Sequence, residues 1–249
     1  MSSDLASLRN IAFVGHSAAG KTSLVDALAH ALGAVERKGS PADKTSICDT
    51  EPEEQEKGHS FQLKLVHAQK NGVSWNLLDT PGYPEFAADV LAGMFAADLV
   101  VGVASCTSGV SYNLRNRLES ARELGRPRAV IVTHVDVENA DFEKLVADLR
   151  AKVGEECVPY DVPDKSGKGF TKVLRASAGE WKKTLYDRVM DACDDEAVLM
   201  QYLETEELSE EAFRQYLPRA IVKGTLVPVL VANPLDGLGL EDVLHFLKE

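Results

Sequence analysis

An octet of residues near the N-terminus has the composition of an anion-binding loop. Residues 15–22 read Gly-His-Ser-Ala-Ala-Gly-Lys-Thr and fit the P-loop pattern G-x-x-x-x-G-K-[ST]. Backbone N–H groups of such a loop, and of the helix that it opens, point at one spot and favour an anion there. The Lys21 ammonium would contact the outer phosphates of a nucleotide, and the Thr22 hydroxyl would bind Mg²⁺. Nucleotide contacts are expected from Gly15, His16, Ser17, Ala18, Ala19, Gly20, Lys21, Thr22 and Ser23.

A second polar set, Asp79-Thr80-Pro81-Gly82, follows an apolar run that is typical of a strand. Open α/β sheets bind their ligands at the carboxyl ends of strands. Asp79 would hold the Mg²⁺ shell, and the Gly82 N–H would approach the terminal phosphate, because only glycine lets the backbone come so close. A D-x-x-G sequence by itself is a common turn, so its place after a strand and after Lys21 supports the interpretation.

A third set, Thr133-His134-Val135-Asp136, ends another buried run. A carboxylate at this position can accept two N–H bonds from the edge of guanine, whereas the amino group and unprotonated N1 of adenine fit it poorly. The alternative is an aspartate that caps a helix, and without the other two sets that alternative would be preferred.

The pattern of apolar residues predicts the elements that place these sites. Strands are predicted at residues 10–14, 61–67, 73–78, 99–104, 129–133 and 226–231, and helices at residues 24–32, 84–97, 111–124, 141–153 and 240–247. Strands that alternate with helices indicate a parallel core with crossovers. The dipeptide Asn71-Gly72 favours a hairpin, so one pair of strands is antiparallel and the sheet is mixed.

The alternation of strands and helices breaks between residues 154 and 225. We predict a core of residues 1–154 and 226–249 and an inserted subdomain of residues 155–225. Within the insertion, helices are predicted at residues 181–200 and 209–223, with Ser209 as the N-cap of the second. The polar segment 33–58 lacks periodicity, and we expect it to be a mobile loop.

Charge and composition limit the partners of the chain. The net charge of −12 argues against nucleic-acid binding by the overall field, and the arginines of residues 115–128 are interpreted as a solvated helix face. The acidic segment 187–211 is interpreted in the same way, with a docking face for a basic or amphipathic partner as the alternative. The N-terminal residues lack the features of a signal peptide, no apolar run is long enough to span a membrane, and the four cysteines are expected to be reduced. A cytoplasmic location is expected.

The three sets, in this order, resemble those of the nucleotide-binding domain of the translational GTPases, and most closely those of elongation factor G and its paralogues. The family loop GH-x-x-x-GKT[ST] matches residues 15–23, and the second family motif DTPGH-x-x-F is similar to residues 79–86. The first-switch motif QE-x-x-RGIT is similar to residues 55–60, Gln-Glu-Lys-Gly-His-Ser. Late in the chain, residues 199–208 and 226–230 are close to LME-x-YLEGEEL and IVPVL, which belong to the insertion of elongation factor G.

The resemblance implies a P-loop GTPase fold that binds GTP or GDP with Mg²⁺ and acts on the ribosome as part of a larger factor. It implies Thr22, Ser60 and Asp79 around the metal, and Lys21, Gly82 and Tyr83 at the catalytic centre. It also implies that the acidic insertion could contact a ribosomal stalk protein. The chain is expected to be a monomer.

The chain departs from the family pattern at the catalytic position. Tyr83 stands where the second switch carries the histidine that positions the attacking water. A phenol is a poor base near neutral pH, and a positioned acid–base group contributes about 10²–10⁴-fold to a rate. We therefore predict slow GTP hydrolysis, which single-turnover assays of the wild type and Tyr83→His would test. A nucleotide-binding switch with negligible hydrolysis is the alternative function.

Further departures affect the P-loop and the recognition of the base. Ala18 replaces a loop aspartate, which makes potassium dependence doubtful, and Thr133 and His134 replace the Asn and Lys of NKxD, whereas Asp136 remains. The last base-reading motif, usually Ser-Ala, falls within Ala232, Asn233 and Pro234. If Pro234 takes the alanine position, one N–H is missing, and the register could instead place Ala232 or Asn233 there. A P-loop ATPase or kinase outside the family is disfavoured by Asp136.

Overall fold

The computed structural model describes residues 5–175 and 180–249 of the chain. The N-terminal residues 1–4, for which no signal peptide is expected, lie outside the described residues, as do residues 176–179 of the predicted insertion. No helix among the described residues is long and apolar enough to cross a membrane.

The central sheet has seven strands in the order β2-β3-β1-β4-β5-β9-β6. Its strands are β1 (Leu8–Val14), β2 (Lys64–Lys70), β3 (Val73–Asp79), β4 (Leu99–Ser105), β5 (Arg128–Thr133), β6 (Cys157–Pro159) and β9 (Val227–Val231). The pair β2–β3 is antiparallel and the other pairs are parallel. The predicted α/β class with a mostly parallel mixed sheet is therefore confirmed.

Helices cover both faces of this sheet. In chain order they are α1 (Lys21–Leu32), α2 (Pro52–Lys57), α3 (Ala87–Ala96), α4 (Tyr112–Glu123), α5 (Phe142–Lys152), α6 (Glu180–Met190), α7 (Glu196–Thr205), α8 (Glu210–Lys223) and α9 (Leu240–Lys248). Leu24 and Leu28 of α1 pack with Val243 of α9 in one apolar cluster, and Leu118 and Leu149 belong to a second cluster. Each fully buried leucine stabilises the fold by about 1.5–3 kcal/mol.

The predicted hairpin joins β2 to β3 through Asn71 and Gly72. Both residues have positive φ, 53° and 78°, as a type I′ turn requires. The strand β2 begins at Lys64 and not at residue 61, because the N–H groups of Phe61 and Gln62 donate to the buried carboxylate of Glu54 and are not available to the sheet.

The segment 33–58, predicted to be a mobile loop, contains an ordered helix. The N-terminus of α2 has a capping box in which the side chains of Glu51 and Glu54 accept each other's backbone N–H groups. Glu54 is fully buried and also forms an ion pair with Lys64 at 3.1 Å. This helix could not be predicted from the sequence, because six residues are too few to show helical periodicity. Its stability comes from these tertiary contacts.

The segment 155–225 contains strands and helices. Its first strand, β6, pairs with β9 of the central sheet, and β7 (Asp161–Pro163) and β8 (Phe170–Lys172) form a separate hairpin. The single helix predicted at residues 181–200 is two helices, because the carboxylate of Asp195 accepts the N–H groups of Ala197 and Val198 and starts α7. The predicted cap is confirmed, since the Ser209 hydroxyl accepts the Ala212 N–H.

The four cysteines Cys48, Cys106, Cys157 and Cys193 are free thiols, as predicted. Burial, together with the nearby carboxylates of Asp79 and Asp26, raises the pKa of the Cys48 thiol. This thiol therefore stays protonated and unreactive inside the fold.

Candidate phosphate-binding site

The loop 15–20 connects the carboxyl end of β1 to the first turn of α1, as the sequence predicts for a P-loop. Lys21 is the first residue of α1, and its side chain is only 5% exposed. The Nζ of Lys21 donates a hydrogen bond to the carbonyl oxygen of His16 at 2.9 Å. Burial lowers the pKa of Lys21, and the charge of Asp79 opposes that effect. The ammonium is therefore a cation that the protein solvates poorly and that an anion in the loop would stabilise.

Thr22 and Ser60 bring α1 and the segment before β2 together. The Thr22 Oγ1 donates to Asp79 Oδ2 at 2.7 Å, and the Ser60 Oγ donates to Asp49 Oδ1 at 2.8 Å. The two hydroxyl oxygens lie 3.3 Å apart. Because each hydroxyl proton is directed at a carboxylate, both oxygens keep lone pairs that a cation between them could use.

Asp79 ends β3 and is completely buried. Burial raises the pKa of Asp79 to about 7, although the charge of Lys21 and the hydrogen bond from Thr22 act in the opposite direction. Its Oδ1 atom has no hydrogen-bond partner among the described residues. A buried carboxylate with an unsatisfied oxygen next to two hydroxyl oxygens fits a hard divalent cation such as Mg²⁺.

The described residues contain no cluster of three or more His, Cys, Asp or Glu side chains that could enclose a metal by themselves. This is consistent with Mg²⁺, which binds one or two protein groups and takes its other ligands from water and phosphate. Thr22, Ser60 and Asp79 thus fit the metal role that was predicted for them.

Gly82 packs against the P-loop at the point where the terminal phosphate was predicted. A Cβ atom added to Gly82 would lie 2.5 Å from the backbone nitrogen of Ser17 and 2.8 Å from the Nζ of Lys21. No residue with a side chain could take this position without displacing the loop, so the second polar set depends on this glycine. The carbonyl oxygen of Gly82 accepts a hydrogen bond from Asn113 Nδ2 at 3.2 Å, which holds the turn.

Thr80 and Pro81 support the site from inside the fold. Both residues are buried, and the Thr80 hydroxyl donates to the carbonyl oxygen of Phe13 at 2.7 Å. This bond ties the end of β3 to β1, so the second polar set is held in a fixed position relative to the P-loop.

A cavity of about 170 Å³ lies between these elements. It is lined by Ser17, Ala18, Gly20, Lys21, Thr22, Ser23, Pro41, Asp49, Gly58, His59, Ser60, Thr80, Gly82 and His134. Pockets for drug-sized ligands measure about 300–1,000 Å³. The enclosed volume therefore suits phosphate groups, and a nucleoside would extend beyond it.

The third polar set lies next to the P-loop at the end of β5. The Thr133 hydroxyl donates to the carbonyl oxygen of Ala19 at 2.8 Å, and its oxygen lies 3.0 Å from His134 Nδ1. His134 has a positive φ of 55° and lines the cavity. Asp136 is exposed on the loop that follows β5. Thr133 thus connects the loop of the third set to the first.

The residues of the last predicted base-reading motif use their N–H groups within the protein. The Ala232 N–H donates to Val132 O at 3.0 Å and the Asn233 N–H to Leu238 O at 2.9 Å. Pro234 has no N–H to offer. In this structure neither Ala232 nor Asn233 therefore has an uncommitted N–H for a base oxygen.

A protein-family model described as the elongation factor Tu GTP binding domain matches residues 6–249. The chain belongs to this family of GTP-binding domains.

Individual relatives agree with this assignment. An elongation factor G-like protein of Thermotoga maritima is 27% identical over 265 residues, which cover 98% of the chain and 38% of that relative. An elongation factor G-like protein of Mycobacterium tuberculosis is 28% identical over 259 residues, or 96% of the chain and 36% of the relative. The chain thus spans less than two-fifths of the curated relatives that it matches. It is the GTP-binding domain of an elongation factor G-like GTPase.

A solved structure shares the fold of this GTP-binding domain. A crystal structure of a Thermus thermophilus protein superposes with a TM-score of 0.86 and 29% sequence identity. The match covers 98% of the chain and 40% of that protein.

The cavity lining includes four residues that the sequence does not assign to the site, Pro41, Asp49, Gly58 and His59, and two of them make contacts that matter for its chemistry. Asp49, which receives the Ser60 hydroxyl bond, lies in the segment that was interpreted as a mobile loop. His59 belongs to the segment 55–60 that resembles the first-switch motif, and in the structure it lines the cavity and its ring contacts that of Tyr83. No periodic or motif signal marks Asp49. The only sequence clue to His59 is that it directly precedes Ser60, a predicted metal ligand.

The segment 33–51 also contacts the loop after β9. The Nζ of Lys38 donates to the carbonyl oxygens of Pro234 at 2.9 Å and Leu235 at 2.6 Å. These bonds tie the start of the segment to the residues that were predicted to form the last base-reading motif. The sequence contains no signal for this contact, because it joins residues that are far apart in the chain.

Proposed function

We propose that the chain binds and hydrolyses GTP as part of an elongation factor G-like translation factor that acts on the ribosome. The observation that supports this most strongly is that the P-loop and the second polar set meet at one cavity, whose lining also includes His134 of the third set. Gly82 abuts Ser17 and Lys21, while Asp79 accepts the hydroxyl bond of Thr22. A cytoplasmic location follows from a role in translation.

The roles of the residues follow from their chemistry. Lys21 and the N–H groups of residues 15–23 would neutralise the phosphates, and the Gly82 N–H would donate to the γ-phosphate. Thr22, Ser60 and Asp79 would hold Mg²⁺, which screens the phosphate charge when bound. Water would attack the γ-phosphorus in line with the bond to the departing GDP.

Recognition of guanine is the finer part of the proposal. Asp136 is exposed and its carboxylate could accept N–H bonds from the base. The N–H groups of Ala232 and Asn233 already donate to carbonyl oxygens of the protein, and Pro234 has no N–H. The oxygen of the guanine base would therefore be bound more weakly than its N–H groups. We therefore propose that guanine is preferred over adenine through Asp136.

Calorimetry with Mg²⁺ present tests the proposed ligand. The chain should bind GDP and GTP more tightly than ADP and ATP, and Lys21→Ala should weaken binding of both guanine nucleotides. Lys144→Ala, at an exposed position of α5, is the matched control and should leave affinity unchanged. If no purine nucleotide releases heat, the proposal fails, and if ADP binds as well as GDP, the choice of base is wrong.

Removing the metal tests the predicted Mg²⁺ residues. Chelation with EDTA should lower the affinity for GTP in the wild type, because the phosphate charges lose their counter-ion. In Thr22→Ala this dependence should be much smaller. Equal dependence in the two proteins would contradict the role of Thr22.

A second candidate function is a guanine-nucleotide switch with little or no hydrolysis, and Tyr83 is the residue that favours it. Slow intrinsic turnover stays a prediction. Single-turnover assays that compare the wild type with Tyr83→His test it, and a faster wild type would contradict it. Phosphate release from bound GTP separates the hydrolase from the switch.

The partners are also proposals. The isolated, acidic chain should sediment only weakly with ribosomes in GTP, and tight binding would count against the proposal. Contact with a ribosomal stalk protein would use acidic side chains of α7 and of the first turn of α8. Replacing the exposed Glu204, Glu210 and Glu211 by Gln tests this contact without removing the buried Tyr202 and Phe213.

A further inference from the structure

An imidazole lies at the phosphate end of the cavity. His59 lines the cavity together with Lys21 and Gly82, and it follows α2 in the segment that ends at Ser60. Its ring centroid is 4.6 Å from that of Tyr83, with the planes tilted by 51°. The ring of Phe61 packs edge-on against the same imidazole, at 5.0 Å between centroids and 76° between planes. Two aromatic contacts therefore fix the position of a histidine that is only partly exposed.

The hydrogen bond of His59 determines which ring nitrogen is available. Its Nδ1 atom lies 2.9 Å from the carbonyl oxygen of Lys57. A carbonyl oxygen can only accept, so Nδ1 carries the proton and donates it. In the neutral ring, Nε2 then has a lone pair and can accept a hydrogen bond.

Other side chains of the cavity suit this task less well. His134 packs against the P-loop, since a Cβ added to Gly20 would be 3.5 Å from its Cε1 atom, and its Nδ1 lies 3.0 Å from the Thr133 hydroxyl. The carboxylate of Asp49 receives the Ser60 hydroxyl bond. Tyr83 lies beside the cavity and is not part of its lining, and a phenol is by its chemistry a weaker base than an imidazole. His59, in contrast, lines the cavity together with Gly82, its ring is held by two aromatic contacts, and its Nδ1 proton is directed at a carbonyl oxygen, which leaves Nε2 as an acceptor.

We propose that His59 is the catalytic residue that orients the attacking water in GTP hydrolysis, and that Tyr83 is a positioning residue that holds the imidazole. This assignment rests on the proposed function. In the step, the water oxygen forms a bond to the γ-phosphorus while the bond from that phosphorus to the β–γ bridging oxygen breaks. GDP leaves with the electron pair of that bond. The water directs one proton at Nε2 of His59, and this proton passes to the phosphate product or to solvent.

Single-turnover hydrolysis of γ-labelled GTP, with the protein in excess, tests the assignment. His59→Phe keeps an aromatic ring and should slow hydrolysis by about 10²-fold, while the affinity for GTP stays the same. His59→Gln keeps a hydrogen-bond acceptor, and its rate of hydrolysis should fall by less than that of His59→Phe. In His59→Ala, added imidazole should restore part of the rate, which a residue with a purely structural role would not show. His30→Phe, at an exposed position of α1, is the matched control and should behave as the wild type.

The outcomes separate this inference from the function on which it rests. If the wild type hydrolyses GTP and His59→Phe does so at the same rate, His59 is not the water-orienting residue, although the chain remains a GTPase. Failure of imidazole to restore any rate in His59→Ala also overturns the assignment. If the wild type binds no GTP, the proposed function itself fails.

Tyr83 gives a second, independent measurement. Tyr83→Phe keeps the ring that contacts His59 and should retain most of the rate, whereas Tyr83→Ala removes the contact and should slow hydrolysis. If Tyr83→Phe is as slow as His59→Phe, the phenol hydroxyl takes part in the reaction and the proposed division of roles is wrong.

Discussion

At the scale of single residues, the site depends on polar groups that the fold leaves incompletely satisfied. Lys21 and Asp79 are both buried, and burial opposes the charge of each. Their mutual attraction offsets part of the cost, and Asp79 Oδ1 still has no partner among the described residues. Such groups lower the stability of the ligand-free protein and increase its affinity for a ligand that carries the complementary charges.

Asp49 provides a residue-scale prediction. Asp49→Asn replaces the carboxylate that receives the Ser60 hydroxyl with a neutral amide of the same shape. A hydrogen bond to a charged group contributes about 1.5–3 kcal/mol, so the affinity for GTP should fall by about 10- to 100-fold. Affinity for GDP should fall less, because Ser60 is expected to bind the metal only in the GTP state.

Titration of the two nucleotides into Asp49→Asn and into the exposed control Asp43→Asn measures this difference. Equal losses for GTP and GDP would contradict a role that is specific to the triphosphate.

At the scale of elements, the β7–β8 hairpin packs against the loop after β5, which carries Asp136 and is proposed to contact the base. The turn of this hairpin contains Gly167, which has a φ of 66°. A Cβ added there would lie 2.5 Å from the carbonyl carbon of Val135 and 2.6 Å from the Cα atom of Asp136. The contact is between two backbones, so neither side can yield by changing a rotamer.

We predict that Gly167→Ala displaces the loop that carries Asp136. Overpacking of this kind costs about 1–3 kcal/mol, and the affinity for GDP should fall by about tenfold or more. Gly125→Ala is the matched control, because Gly125 has nearly the same φ of 65° and nothing within 4 Å of an added Cβ. The control shares the backbone strain but lacks the clash.

Calorimetry with GDP and denaturant unfolding of both variants measure the two effects. If Gly167→Ala loses stability but binds GDP as Gly125→Ala does, the hairpin does not influence nucleotide binding through the loop that carries Asp136.

At the scale of the whole molecule, stability should depend on pH through a buried acid outside the site. Asp161 of β7 is completely buried, and neither of its oxygens forms a hydrogen bond with ordinary geometry among the described residues. Burial raises the pKa of Asp161 to about 7, while the charge of Lys172 acts in the opposite direction. In the unfolded chain an aspartate has a pKa of about 3.9.

The sign of the effect follows from proton linkage. Between about pH 4 and pH 7 the folded protein binds more protons at Asp161 than the unfolded chain, so the free energy of unfolding falls as the pH rises. The contribution of this residue should decrease by about 2–4 kcal/mol across that range. Asp161→Asn should therefore flatten the dependence of stability on pH.

Urea unfolding between pH 5 and pH 8 checks this expectation. Asp164→Asn is the control from the same hairpin, because hydrogen bonds from Ser166 lower the pKa of the exposed Asp164 and place its titration below that range. An unchanged slope in Asp161→Asn would show that another group governs the pH dependence.

The sequence by itself determined the order of the core elements and the three polar sets that the core positions. Each set follows an apolar run, and parallel strands bring their carboxyl ends to one edge, so the meeting of residues 15–23, 79–82 and 133–136 could be predicted from local patterns. The hairpin at Asn71-Gly72 was predictable for the same reason, because a two-residue turn is encoded by its own residues.

Tertiary structure alone decided the features that join distant parts of the chain. The order in α2 depends on a buried carboxylate, Glu54, that binds backbone groups of the next segment. Asp49, His59 and Lys38 acquire their positions from contacts across the cavity, and the interruption before α7 comes from one cap at Asp195. Periodicity and motifs report only neighbours along the sequence, whereas these contacts exist only after the sheet has brought the segments together.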